Sequence, residues 1–118
     1  MYFFALIDSL KFTMNFHNLA HAVQYYDLAW FEKEVNLLSC MKCHNNKTGD
    51  TILHLLCRFG RVDVLELIFS NIPGVDLDIS NFEGKKPLHE AAQFGQYECV
   101  NFLLKHGVVV DSLKRADW

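Results

Sequence analysis

The sequence predicts an all-α solenoid of stacked helix-turn-helix units joined by short β-hairpin or loop tips. Two observations carry that prediction. First, the segment Thr51-Ile52-Leu53-His54-Leu55-Leu56-Cys57-Arg58-Phe59-Gly60 returns as Lys86-Pro87-Leu88-His89-Glu90-Ala91-Ala92-Gln93-Phe94-Gly95. His54 and His89 lie 35 positions apart, and so do Gly60 and Gly95, Gly49 and Gly84, and Asn46 and Asn81. Self-similarity at a fixed period of this length points to a repeat architecture. Second, the apolar residues inside each copy recur at the three- and four-residue spacing of a helix face, with no strand-like alternation.

Each copy can be built from its residues. Asn46-Lys47-Thr48-Gly49-Asp50 reads as a turn, because Asn and Gly accept tight or left-handed backbone. Thr51 is a good N-cap for a short helix from Ile52 to about Arg58, whose Leu53, Leu56 and Cys57 share one face. Gly60 closes it. A second helix runs from Val62 to about Ser70, with Val64, Leu65, Ile68 and Phe69 as its apolar stripe, and Asn71-Ile72-Pro73-Gly74 ends it. The next copy repeats the plan. Asn81 to Lys85 form the turn, and Pro87 takes the first helical position, where its missing N–H costs least. Leu88, Ala91 and Ala92 face inward. Tyr97 to Lys105 form the second helix, with Cys99, Val100, Leu103 and Leu104 inward.

Upstream the pattern continues in degraded form. Asn18 to Val23 lies 33 positions before Thr51 to Leu56, so His21 matches His54 and Asn18 is the expected N-cap. Asp27 stands where Gly60 would. Leu28 to about Leu38 reads as a single second helix with Phe31 and Val35 inward. Glu32, Lys33 and Glu34 make it half polar, as the end of a solenoid requires. The expected organisation is a non-repeat extension at 1–13, a degenerate N-terminal capping repeat at 14–45, repeats at 46–80 and 81–113, and the start of a truncated further repeat at 114–118. The C-terminal end is expected to be uncapped, since Asp111 follows Asp78 by 33 positions and the next helix would begin beyond Trp118. Met14 is the expected natural start.

Bulk properties narrow the function. The 118 residues carry a net charge of −3, which favours neither nucleic acid nor an anionic membrane as the main partner. Apolar residues make up 51%, above the usual share, so some apolar surface is expected to stay uncovered. The first 13 residues lack a basic n-region and are too short to span a bilayer. Cys40, Cys43, Cys57 and Cys99 suggest no disulfide framework, and two of them sit in apolar helical runs. A reducing, intracellular setting in cytoplasm or nucleus is expected.

The run Lys86-Pro87-Leu88-His89-Glu90-Ala91-Ala92, with its echoes at Thr51 and Asn18, resembles the signature of an ankyrin repeat. Lys86 stands where that family usually has Thr, and Ile52 where it usually has Pro. The resemblance implies a rigid scaffold that binds another protein along its concave face, formed by the hairpin tips and the exposed side of the first helices. Carried onto this chain, those positions are Lys47, Thr48, Asp50, Arg58, Phe59, Phe82, Glu83, Lys85, Gln93, Phe94, Arg115 and Trp118. It also implies that His54 and His89 bond across adjacent hairpins. Phe82 is the sharpest candidate, because an aromatic residue at a tip exceeds what folding needs. Phe59 and Phe94 could equally pack between repeats. The open end, with Leu103 and Leu104 on it, leads to an expectation of marginal stability or self-association.

Catalytic and cofactor chemistry finds little support in these residues. No Ser-His-Asp pattern, P-loop or dinucleotide fingerprint occurs, so a non-enzymatic chain with no cofactor is expected. Cys40-Met41-Lys42-Cys43-His44 spells the C-x-x-C-H pattern of c-type haem attachment and offers three zinc donors, which keeps a metal- or haem-binding protein as the alternative. A polar loop with two incidental thiols explains the same residues. His21, His54 and His89 recur, but helices in neighbouring repeats pack about 8–10 Å apart, too far for two imidazoles to share one metal.

Overall fold

The computed structural model describes residues 15–33 and 36–109. Among them run seven helices: α1 Phe16–Tyr25, α2 Leu28–Lys33, α3 Leu37–Lys42, α4 Ile52–Arg58, α5 Val62–Asn71, α6 Pro87–Gln93 and α7 Tyr97–Lys105. The pairs α1/α2, α4/α5 and α6/α7 are hairpins. First helices pack on first helices, α1 on α4 and α4 on α6. Second helices pack on second helices, α2 on α5 and α5 on α7. The result is a two-layer helical solenoid. The 1–13 extension, Met14, Val35, Arg115, Trp118 and the 114–118 restart lie outside the described residues.

Helix α4 is the centre of the core. Ile52 through Cys57 are all buried, six consecutive positions, as happens to a helix with neighbours on every side. Each buried Leu in this stretch contributes roughly 1.5–3 kcal/mol of burial. Leu65 and Ile68 from α5, and Leu88 and Ala91 from α6, pack into the same cluster. Cys57 and Cys99 meet inside it as free thiols. Cys99 Sγ also lies 3.8 Å from the Leu56 carbonyl oxygen. Their mutual hydrogen bond pushes the Cys57 thiol well up, with burial adding to it, and draws the Cys99 thiol down. Leu103, expected at an open end, is fully buried; Leu104 keeps 38% of its surface exposed.

The first hairpin departs from the register in three places. Asn15, not Asn18, caps α1: its Oδ1 accepts the Asn18 N–H at 2.8 Å. The expected single helix from Leu28 to Leu38 is two helices. Asn36 takes extended backbone and its side chain accepts the Ser39 N–H at 3.3 Å, which starts α3 afresh. Asp27 does more than stand in for a glycine. Tyr26 leaves α1 in extended backbone, so no left-handed residue is needed, and Asp27 Oδ1 accepts the Trp30 N–H at 3.1 Å to open α2. The later hairpins turn through left-handed Gly60 and Gly95, at φ 71° and 68°, which L side chains rarely adopt.

Candidate binding surface

The tips are built by asparagine. Asn45 Oδ1 accepts the N–H groups of Lys47 and Thr48 at 2.8 and 3.0 Å. Asn81 Oδ1 accepts those of Glu83 and Lys85, both at 2.9 Å. Asn45 therefore does in one tip what Asn81 does in the next, one residue off the Asn46 register that the 35-residue period indicates. An antiparallel bridge between His44 and Thr51 closes the first tip. The two tips are joined: the Phe82 N–H donates to the Thr48 carbonyl at 2.8 Å. Gly49 sits beneath the Phe82 ring at φ 76°, and a Cβ there would come within 2.5 Å of the ring. Phe82 is thus 68% exposed and yet held in place.

Behind the tips lies a polar network that spans the two repeats. Arg58 Nη2 bonds Asp50 Oδ2 at 3.0 Å and also bonds Glu90 Oε1. Asn81 Nδ2 donates to Asp50 Oδ1 at 2.8 Å. Asp50 and Glu90 are buried. Burial pushes the Asp50 carboxyl up, but the hydrogen bonds from Asn81 and Arg58 outweigh it and hold the carboxyl below its ordinary range. Burial likewise works against the Arg58 charge, and Glu90 and Asp50 overcome it. The Arg58 guanidinium also lies 6.0 Å from the Phe94 ring centroid.

His54 closes the same junction. Its Nδ1 accepts the Thr51 N–H and faces Thr51 Oγ1, both at 3.0 Å. That assigns the proton to Nε2, which donates across the junction to the Lys85 carbonyl at 2.9 Å. His89 Nδ1 accepts the Lys86 N–H at 2.8 Å in the same way. His21, the expected third member, is exposed and stacks on Tyr25 and Tyr26 at 4.8 and 5.5 Å. Lys86, with no hydroxyl to offer, pairs instead with Asp78 at 2.8 Å.

The sequence-derived surface separates into two groups. Lys47, Glu83 and Gln93 are exposed, Thr48 and Lys85 are half-buried, and Phe59 and Phe94 keep 38% and 49% of their surface. With Phe82 these residues are available to a partner. Asp50 is buried and Arg58 is engaged with two carboxylates, so both serve the junction itself, a correction to their placement among the contact residues. The sequence reading missed Arg61. Its Nη1 donates to the Val23 and Tyr26 carbonyls at 2.8 and 2.7 Å, and its other nitrogens pair with Asp63. Gln96 does similar work one repeat later, donating to the Arg58 carbonyl at 2.9 Å. Each follows the turning glycine, 35 positions apart, so the repeat period itself held that signal.

The C-x-x-C-H segment falls at the end of α3, with Cys43 as the residue that follows the helix. Among the described residues no group of three or more His, Cys, Asp or Glu side chains is placed to hold a metal. Cys40 is no loop residue. It is buried in α3, and burial, with Cys43 nearby, pushes its thiol up to about 12, away from a thiolate. Among the described residues no helix is long and apolar enough to cross a membrane.

Stacked helical hairpins with paired tips define a repeat scaffold of the kind that binds other proteins. A family model described as ankyrin repeats, three copies, matches residues 18–113, and the chain belongs to that family. It is 36% identical over 83 residues to the SMC5-SMC6 complex localization factor protein 1 of Mus musculus, covering 70% of this chain and 8% of that protein. It is 38% identical over 72 residues to the Homo sapiens protein of that name, covering 61% of the chain and 7% of the relative. A putative ankyrin repeat protein of Rickettsia felis is 36% identical over 67 residues, 57% of the chain and 22% of that protein. The chain thus spans less than a tenth of the localization factors it matches. Residues Lys86 to Ala92, Cys99-Val100 and Val110 to Trp118 also suggested the N-terminal part of ankyrin repeat domain-containing protein 16. The relatives found bear out the family and not that individual protein.

Proposed function

We propose that this chain is a non-catalytic adaptor module that holds another protein along the concave face made by its hairpin tips and the exposed ends of its first helices. The contact residues are Lys47, Thr48, Phe59, Phe82, Glu83, Lys85, Gln93 and Phe94, continued by Arg115 and Trp118 on the repeat register. Asp50 and Arg58 stiffen this surface from behind. The observation that carries the reading is Phe82, largely exposed while its N–H and ring are fixed on Thr48 and Gly49. An aromatic anchor ordered before binding costs little entropy on association and suits a hot spot. Similarity to localization factors supports a recruiting role inside the cell, in the nucleus, as part of a larger adaptor.

The test is affinity capture from nuclear extract with the whole chain and with Phe82→Ala. The substitution removes an exposed ring and should leave thermal stability within about 0.5 kcal/mol, as for surface changes generally. It should lower recovery of the captured protein by roughly tenfold, the effect of losing about 1.4 kcal/mol at an interface. Equal recovery with an intact fold would remove the concave face from consideration.

A further inference from the structure

A second surface lies at the opposite end of the molecule from α7. Between the first turn of α1, the end of α3 and the first tip is an open groove of about 840 Å³. His17, Lys42, His44 and Lys47 line it, beside the amides of Asn15 and Asn46. All four of the basic or imidazole side chains are exposed. Among the described residues no carboxylate lines the groove. None of the four takes part in an ion pair among the described residues, whereas Arg58, Arg61 and Lys86 are all committed to carboxylates.

That segregation is unusual for a chain of net charge −3. Exposed carboxylates lie outside the groove, at Glu32 on α2, Glu66 on α5 and Glu98 on α7, and at Asp27, Asp76 and Glu83 in the connections and the second tip. Among the described residues the groove gathers two lysines, two imidazoles and amide donors and offers an incoming anion no carboxylate to repel it. From this charge complementarity we infer that the groove docks an acidic peptide segment of a partner protein, with side-chain carboxylates meeting Lys42 and Lys47 and the amides donating to its backbone carbonyls. An extended peptide suits an open groove, since successive side chains can reach both lysines. The inference goes beyond the concave-face reading and shares only Lys47 with it.

Fluorescence anisotropy with a fluorescein-labelled hexaglutamate peptide and the whole chain tests it. The peptide should bind at low ionic strength and release as salt is raised. Lys42→Glu with Lys47→Glu should weaken binding by roughly tenfold or more, the sum of two reversed surface pairs. Should that variant melt early, Lys42→Gln with Lys47→Gln provides the milder comparison and should give a smaller loss in the same direction. Glu66→Lys with Glu98→Lys, and Phe82→Ala, should leave peptide binding unchanged, which separates this groove from the concave face. Absence of peptide binding, wild-type affinity in the lysine variants, or tighter binding of a single-stranded DNA hexamer lost in the same variants would overturn the inference.

Discussion

The two junctions of this solenoid are assembled from different chemistry at matching positions. Between the second and third hairpins, Asp50, Asn81, Arg58 and Glu90 form one buried polar network, and His54 adds a bond to the Lys85 carbonyl. Between the first and second hairpins the matching histidine, His21, is exposed. There Arg61 is the side chain that reaches back, holding the Val23 carbonyl in α1 and the Tyr26 carbonyl just past it and lying 5.6 Å from the Phe31 ring centroid. The difference shows what the repeat signature supplies. A conforming repeat brings a network that fixes tip against tip. The degenerate one shows, among the described residues, apolar stacking and a single side chain that reaches back.

The contrast breaks most readily at Arg58. A single nitrogen, Nη2, serves both Asp50 and Glu90. Arg58→Ala leaves two buried carboxylates with no cation between them. The expected loss is about 3 kcal/mol, the low end for breaking a buried pair because Arg58 is partly exposed. Urea unfolding monitored by circular dichroism gives the number. A loss below about 0.5 kcal/mol, the range of ordinary surface changes, would mean that the network is solvated and unimportant.

How much of this was legible beforehand follows from where the period holds. α4 and α7 begin and end where residue chemistry placed them, and α5 runs one residue further, because caps, glycines and apolar spacing all agree there. The first hairpin misled because register was given precedence over local chemistry. Asn15, Asp27 and Asn36 are all capping residue types, and each caps a helix in the structure. The exposure of Phe82 and the positions of the two tips were legible. Asp50 and Arg58 were misplaced because sequence spacing cannot show that residues 31 or 32 positions apart, Asn81 and Glu90, turn inward to meet them.

Arg61 gives the next largest effect and sharpens the contrast by location. Its Nη1 is the donor to the Val23 carbonyl in α1 and to the Tyr26 carbonyl just past its end. Arg61→Ala should cost about 2 kcal/mol, the range for charged hydrogen bonds, offset in part by release of the half-buried Asp63 pairing. Hydrogen exchange should show protection falling in α1 and α2 and persisting in α6 and α7, since only the first junction is cut. Uniform loss along the chain would mean that the two junctions unfold as one unit.

The smallest effect is set by pH and should belong to the second junction. Burial lowers the His54 affinity for protons, outweighing the Lys85 carbonyl, Asp50 and Glu90, which favour the charge. The unfolded chain therefore takes up this proton first as pH falls. Stability from His54 is complete above about pH 6.5 and is lost progressively below it, until folded His54 also protonates. One proton limits the slope to about 1.4 kcal/mol per pH unit. Asp50 is held low in the folded state, so its own loss falls near and below pH 4 and does not overlap the start of this window. Protonation also removes the Nδ1 acceptor from the Thr51 N–H, so the start of α4 should loosen with it. Denaturation at pH 7, 6 and 5 should show a steeper decline in the wild-type chain than in His54→Gln, which lacks the titration. Parallel curves would assign the pH response to other groups, leaving the two junctions different in packing but alike in acid.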